Sequence, residues 1–127
     1  MKFIIDSFAW IEYFKASESG EKAKKIIEKK ENELFTLDVC LAEIKFWALQ
    51  EKIDFLKIKA IIKSNSGIVE TFSNEWLEAA QIKFEKRKKY KNFGLVDALI
   101  LEKQKQLKAI IVTGDKHFKD SKDIELI

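Results

Sequence analysis

Short apolar runs alternate along this chain with longer segments whose apolar residues recur at helical spacing. Runs of this length are typical of buried strands, and the longer segments can form helices that connect parallel strands. The sequence therefore predicts an α/β protein, a three-layer α/β/α sandwich with a central, mainly parallel sheet of four to five strands. The predicted strands are Lys2–Ile5, Leu34–Leu37, Gly67–Phe72, Ala109–Thr113 and, shortest and last, Glu125–Ile127.

Most of the helical segments begin near residues that commonly cap helices. The predicted helices are one capped by Ser7, Ser19–Glu31, Val39–Lys52 after Asp38 as N-cap, one capped by Asp54, one opened by Asn74, and Val96–Leu107. The helix Val39–Lys52 is apolar almost all round, which predicts that both of its faces are covered. Either the interior of the chain or a homodimer could provide that cover.

The composition predicts one cytoplasmic domain over residues 1–127. A chain of 127 residues has the size of a single domain. The only cysteine, Cys40, excludes an internal disulfide, and we expect it in the core. No apolar stretch is long enough to span a membrane, and Met1–Asp6 breaks too early for a signal peptide. The net charge of +3 mildly favours polyanionic partners.

Two acidic residues lie directly after predicted strands. Asp6 follows Phe3-Ile4-Ile5, and Asp115 follows Ile110-Ile111-Val112-Thr113-Gly114. The carboxyl ends of parallel strands meet at one edge of a sheet, where ligands bind in open α/β folds. We therefore expect Asp6 and Asp115 at this edge.

Two further acidic residues lie on predicted helices among apolar neighbours. The neighbours three and four positions from Asp97 include Phe93, Ile100 and Leu101. Those around Glu43 include Val39, Cys40, Phe46 and Trp47. Burying an unpaired carboxylate is costly, so each of these acids needs a partner or a cation. Near a helix N-terminus, Asp97 is expected to be held ionised by the helix dipole.

Convergence of Asp6, Glu43, Asp97 and Asp115 around one divalent cation would remove this cost, since few lysines lie nearby in the sequence. Ligation by oxygen alone favours Mg²⁺ or Mn²⁺ over zinc.

Each acid also has an explanation that needs no metal. Asp6 could cap the helix that follows it, and Asp97 could be a first-turn acid stabilised by the helix dipole. Asp115 could be a turn residue after Gly114. Glu43 could pair with a lysine from elsewhere in the chain.

Four motifs occur in a fixed order. They are Phe3-Ile4-Ile5-Asp6-Ser7 leading into Ala9–Phe14, then Leu41-Ala42-Glu43, then Val96-Asp97-Ala98-Leu99-Ile100, and last Ile111-Val112-Thr113-Gly114-Asp115-Lys116-His117-Phe118. Each motif alone is weak, but their order and separations from end to end of the chain are fairly specific. Together they resemble the PIN domain family, most closely the toxin ribonucleases of VapBC-type toxin–antitoxin pairs.

The resemblance implies a metal-dependent endoribonuclease that cleaves structured or ribosome-associated RNA, often transfer RNA. It also implies a homodimer that is restrained by a small antitoxin protein. Carried over by motif, Asp6 and Asp97 are the implied principal metal ligands, and Glu43 and Asp115 complete the acidic set directly or through water. Thr113 is the implied hydroxyl that supports a ligand or contacts substrate.

Phe8 departs from the family pattern, which usually has a small polar residue, often Asn or Ser, at this position. Phe8 also argues against a phosphatase or phosphotransferase of the haloacid dehalogenase type with Asp6 as nucleophile, because that site needs a second aspartate two residues on. The remaining alternatives are a nuclease of RNA maturation, a nuclease acting on DNA, and a noncatalytic module that binds RNA or protein.

Other residues are weaker candidates. His117 could contact substrate but is more simply a packed or solvated side chain, and Asp120 is a possible auxiliary ligand. The basic run Lys83–Lys91 is either a solvated helix end or a track for an RNA backbone beside the acids. The tryptophans fall on apolar helical faces, which predicts core or dimer-interface positions for Trp10, Trp47 and Trp76.

Overall fold

Five strands form one sheet in the computed structural model, which describes residues 1–127. They are β1 (Lys2–Ile5), β2 (Glu33–Leu37), β3 (Gly67–Val69), β4 (Ile110–Thr113) and β5 (Ile124–Leu126). Their order across the sheet is β3-β2-β1-β4-β5, and every neighbouring pair is parallel. The central strand β1 therefore ends between β2 and β4, at the edge where ligands collect in open α/β folds.

Six α-helices connect the strands. They are α1 (Ser7–Lys15), α2 (Glu18–Ile27), α3 (Asp38–Gln50), α4 (Phe55–Asn65), α5 (Ser73–Lys86) and α6 (Leu95–Leu107), and a 3₁₀ helix spans Lys116–Phe118. None of these helices combines the length and the apolar character that crossing a membrane requires.

Helices cover both faces of the sheet. Successive residues of a strand face opposite sides, so Ile4 of β1 packs into a core with α5 and α6. Its neighbours Phe3 and Ile5 pack into a second core with α1, α2, α3 and α4. This arrangement confirms the predicted three-layer α/β/α sandwich, including the short strand at the end of the chain.

The start of α1 differs from the prediction. The helix is capped by Asp6, whose carboxylate accepts a hydrogen bond from the backbone N–H of Ala9 at 2.8 Å. Ser7, predicted as the cap, is the first residue of the helix instead. A cap must precede the first helical turn, and the chain leaves β1 so abruptly that the turn begins at Ser7.

Asp38 is also not the helix cap that the sequence predicts. It is the first residue of α3, and its carboxylate accepts hydrogen bonds from the backbone N–H of Thr71 at 3.1 Å and from the Thr71 hydroxyl at 2.9 Å. These bonds hold Thr71 outside the sheet. The predicted strand Gly67–Phe72 accordingly ends at Val69.

The predicted helix Ser19–Glu31 is shorter than expected. The Ser17 hydroxyl caps α2 by accepting from the Gly20 N–H at 3.0 Å, and the helix ends at Ile27. Beyond that point the Asn32 side chain donates to the backbone carbonyl of Ile26 at 2.9 Å, which turns the chain toward β2.

The prediction that both faces of α3 are covered is wrong for the single chain. One face is buried through Cys40, Ile44 and Ala48. On the other side, 64% of Phe46 and 63% of Leu49 are exposed, because no helix of the same chain packs over them. A groove of about 640 Å³ lies beside this bare face, between α1 and α3.

A buried ion pair joins α5 to α6. The Lys103 ammonium lies 2.6 Å from a carboxylate oxygen of Glu75, and both side chains are almost fully buried. Glu75 also accepts the backbone N–H of Phe72 at 2.9 Å. Burial alone would raise the pKa of Glu75, but Lys103 and these hydrogen bonds outweigh it and lower the pKa.

We expect Lys103→Met to lower the free energy of unfolding by about 3 kcal/mol, because it leaves the Glu75 carboxylate buried without a cation. The double variant Lys103→Met/Glu75→Gln should recover most of this loss, since Gln is uncharged and can still accept from Phe72. Urea unfolding of the three proteins at neutral pH measures both effects. A double variant as unstable as Lys103→Met would assign the loss to packing rather than to the unpaired charge.

Candidate active site

The pairing of β1 with β4 brings Asp6 next to Thr113. Ile5 is in register with Val112, and the backbone N–H of Asp6 donates to the carbonyl of Val112 at 3.2 Å. Asp6 is thus fixed at the carboxyl edge of the sheet by its own backbone, as the sequence predicts.

Asp6 is a buried carboxyl group without a cationic partner. Its side chain is capped by the N–H of Ala9, and none of the ion pairs in the chain includes it. Burial raises the pKa of Asp6 to about 7, while hydrogen bonds from Thr113 and Ala9 oppose the rise. The negative charges of Asp97 and Glu43 raise it further.

Asp97 lies in the first turn of α6 and is half-buried. Its carboxylate accepts the backbone N–H of Gly94 at 2.9 Å. Burial raises the pKa of Asp97 above its ordinary value, and the hydrogen bond from Gly94 opposes the rise. Asp115 and Glu43 add to the rise. That Asp97 is held ionised near the helix N-terminus remains a prediction.

Glu43 lies on the exposed side of α3, in contrast to the burial that its apolar neighbours predict. The reason is the bare face described above, which leaves that side of the helix open. No lysine pairs with Glu43; its carboxylate accepts instead from the hydroxyl of Ser7 at 2.8 Å. Sequence reasoning missed this role of Ser7, which the motif Asp6-Ser7 after a strand could have indicated.

Asp115 caps the 3₁₀ helix that follows β4. Its carboxylate accepts from the backbone N–H of His117 at 2.9 Å and lies 3.0 Å from Nδ1 of the same residue. Its own backbone N–H donates to the Thr113 hydroxyl at 3.0 Å. Thr113, which is fully buried, therefore contacts the backbone of one acid and the side chain of another.

Each of the four predicted acids lies within electrostatic reach of at least one of the others. The charges of Asp97 and Glu43 act on Asp6, and those of Asp115 and Glu43 act on Asp97. As the side chains stand, however, no three His, Cys, Asp or Glu residues are arranged to hold a metal ion. The acids form a loose cluster, and each carboxylate accepts a hydrogen bond from a nearby backbone N–H or serine hydroxyl.

The PIN domain family profile matches residues 3–123, a range that includes all four acids. The chain belongs to the PIN domain family. No curated protein sequence matches the chain.

Solved structures share the fold of this PIN domain at low sequence identity. VapC20 of Mycobacterium tuberculosis, a toxin that cleaves the sarcin-ricin loop, superposes with a TM-score of 0.77 at 14% identity, covering 98% of either chain. VapBC2 of Rickettsia felis, bound to promoter DNA, gives 0.70 at 18% identity and covers 100% of this chain and 98% of that one. DNA-bound VapBC of Salmonella typhimurium gives 0.68 at 16% identity, with 100% and 97% covered.

The basic run of the PIN domain is largely engaged in contacts within the chain. Lys89 and the hydroxyl of Tyr90 both bind the carboxylate of Asp120, which lowers the pKa of that acid. The Arg87 side chain donates to the backbone carbonyl of Phe93 at 2.9 Å. Asp120 is thus an ion-pair partner in this structure rather than a free ligand.

The tryptophans and Cys40 lie close to their predicted positions. Trp10 is fully buried and donates to the hydroxyl of Thr36 at 2.9 Å. Trp47 and Trp76 are only half-buried and pack at the margins of the two cores. Cys40 is fully buried, and burial raises the pKa of its thiol well above the usual range.

Asp6 should make the stability of the protein depend on pH when divalent cations are absent. The raised pKa means that the native state binds this proton more tightly than the unfolded chain does. The stabilisation from the neutral carboxyl is complete below pH 3.8 and is lost as the pH rises through about 7. We expect the loss to be a few kcal/mol.

The variant Asp6→Asn keeps an oxygen for the Ala9 N–H but has no charge, so its unfolding free energy should lack this fall and exceed the wild-type value above pH 7. Urea unfolding in EDTA across the pH range measures it. Asp123→Asn, at an acid with φ 54° that Asn also tolerates, is the matched control. A fall of equal size in Asp6→Asn would assign the titration to another group.

Proposed function

We propose that this PIN domain, residues 1–127, is a metal-dependent endoribonuclease that hydrolyses RNA phosphodiester bonds, and that it is the toxin of a type II toxin–antitoxin system. The observation that carries the proposal is the cluster of Asp6, Glu43, Asp97 and Asp115 at the carboxyl edge of the sheet, without any lysine or arginine bound to it. Membership of the PIN domain family supports a nuclease.

The chemical type of the donors, rather than their arrangement as the side chains stand, suits a hard divalent cation. Asp6 and Asp97 are the proposed principal ligands, with Glu43 and Asp115 completing the set directly or through water. All the donors are carboxylate oxygens, which Mg²⁺ and Mn²⁺ prefer. The pKa values of Asp6 and Asp97 are raised first by burial and then by the charges of neighbouring carboxylates, and a bound cation would oppose both effects.

A bound divalent cation supplies neutralisation of the phosphoryl oxygens and activation of the attacking water. The chain itself orients the carboxylates that would bind the cation. The Thr113 hydroxyl and the Ala9 N–H fix the carboxyl group of Asp6, and the Gly94 N–H fixes that of Asp97. Orienting groups of this kind set the geometry of the carboxylates before substrate arrives.

The toxin role and its partners rest on the neighbours and on the bare face of α3. Two of the structures with this fold are VapBC complexes bound to DNA, and another is a toxin–antitoxin complex from Klebsiella pneumoniae with a TM-score of 0.67. The exposed Phe46 and Leu49 supply apolar area that a protein partner would cover. We propose a homodimer and a small antitoxin as those partners, acting in the cytoplasm.

Purified protein should cleave RNA when Mg²⁺ or Mn²⁺ is present and lose the activity in EDTA. Asp97→Asn should lower the cleavage rate by roughly two to three orders of magnitude, the scale seen when one electrostatic stabiliser of a transition state is removed. Asp123→Asn, just before the amino end of β5 and so at the opposite edge of the sheet from Asp6, should retain the wild-type rate. Gel assays on total RNA measure all three.

Equal cleavage by wild type and by Asp6→Asn/Asp97→Asn would place the activity outside the acidic cluster. Expression in a bacterial host separates the toxin role from RNA maturation. A toxin arrests growth when its acids are intact and does not when both are replaced, whereas a maturation nuclease leaves growth unchanged in either form.

Titration with Mg²⁺ should raise the melting temperature of the wild-type protein by several degrees, because a cation that binds only the native state stabilises it by about 2.7 kcal/mol at 100 times its dissociation constant. Asp6→Asn should respond far less, because it lacks a principal ligand. An equal rise in both proteins would indicate general ion effects instead of this site.

A further inference from the structure

An aromatic pair lies beside the acids, where two separate segments meet. Tyr90 belongs to the connection between α5 and α6, and His117 belongs to the 3₁₀ helix after β4. Their ring centroids are 5.5 Å apart, with 54° between the ring planes. We propose that Tyr90 and His117 form a platform on which an unpaired RNA base stacks next to the scissile phosphate. The inference rests on the proposed nuclease function.

Each of the two residues is held by one polar contact at its ring and one at its backbone N–H. The Tyr90 hydroxyl binds Asp120, and the Tyr90 N–H donates to the carbonyl of Lys86 at 2.8 Å. His117 is tied to Asp115 through its backbone N–H at 2.9 Å and through Nδ1 at 3.0 Å. Rings that are already ordered lose little conformational freedom when a ligand stacks on them.

A second, buried aromatic pair fixes the segments that carry the platform. Phe93 and Phe118 are fully buried and lie with their ring centroids 5.7 Å apart. Phe93 is three residues from Tyr90, and its N–H donates to the Tyr90 carbonyl at 3.1 Å. Phe118 directly follows His117. The distance between the two platform residues is therefore set by the core and not by mobile side chains.

The platform is adjacent to the acidic cluster. His117 contacts Asp115 directly, and it is near enough to Asp97 for its charge to lower the pKa of that residue. One third of the His117 side chain is exposed and Tyr90 is half-buried, so both remain accessible to a ligand. A base on these rings would place its flanking phosphate beside the carboxylates.

Exposed lysines flank the aromatic pair on both segments. Lys91 follows Tyr90, and Lys116 and Lys119 lie on either side of His117. These three form no ion pair within the chain. Aromatic rings for bases combined with lysines for phosphates are typical of proteins that bind single-stranded nucleic acid. Bases stack on side chains in this way only where they are unpaired, as in loops and bulges.

The test uses the full chain in EDTA, which prevents metal-dependent cleavage, and a short unstructured RNA that carries the fluorescent base 2-aminopurine. Wild-type protein should bind and quench the fluorescence as the base stacks. Tyr90→Ala and His117→Ala should each weaken binding about tenfold, equivalent to about 1.4 kcal/mol, which is within the range for stacking of a base on a ring. Both should also lose most of the quenching.

Matched variants separate stacking from other effects. Tyr90→Phe removes the contact with Asp120 but keeps the ring, so it should bind and quench within about twofold of wild type. Phe84→Ala is the control for a ring in the same basic run: Lys88 lies 5.3 Å from the Phe84 ring, as Lys89 does from the Tyr90 ring. If Tyr90→Ala does not fold, Tyr90→Leu keeps apolar bulk without a ring and should show the same loss.

Unchanged quenching in Tyr90→Leu and His117→Ala, or an equal loss in Phe84→Ala, would overturn the platform. In cleavage assays the platform predicts a raised KM with a smaller change in kcat; a fall in kcat alone would contradict it. Quenching by wild type without cleavage in any divalent cation would reject the nuclease function and leave the platform standing. If the wild type cleaves RNA but the variants quench as well as the wild type does, the nuclease function stands and the platform is rejected.

Discussion

The parallel pairing of β1 with β4 is the constraint on which the site depends. It places a carboxyl group, Asp6, in the interior at the end of the central strand and sets the Thr113 hydroxyl beside it. A buried carboxyl group in this position destabilises the native state at neutral pH, because its ionised form loses water and gains no cation from the chain. The negative charges of Asp97 and Glu43 add to that cost.

Three acids of the cluster also accept backbone N–H groups at the start of a helix. Asp6 caps α1, Asp97 accepts the Gly94 N–H at the start of α6, and Asp115 caps the 3₁₀ helix. The structural explanations that the sequence allows for these residues are therefore correct as geometry. They do not compete with the metal hypothesis, since a carboxylate that accepts one backbone N–H keeps further lone pairs that can bind a cation.

The sequence predicted the layers, the strands and the edge at which the acids lie, because alternation of apolar runs reports burial directly. It failed where a side chain of a distant segment decides the outcome. Asp38 was expected to cap a helix but binds Thr71, and this contact ends β3 early. Burial of Glu43 was expected from apolar neighbours on its own helix, yet no other part of the chain covers Phe46. Periodicity shows which face is apolar, not what covers it.

The ring of Phe8 fills the space that a side chain at Gly114 would need. A Cβ atom added to Gly114 would lie 2.0 Å from the ring of Phe8, well inside van der Waals contact. The bulky ring of Phe8 fits at this position because residue 114, in the turn after β4, has no side chain. A side chain at residue 114 would have to displace the Phe8 ring, which is 42% exposed and has room to turn into solvent. The turn after β4 and the first turn of α1 are therefore coupled through this one contact.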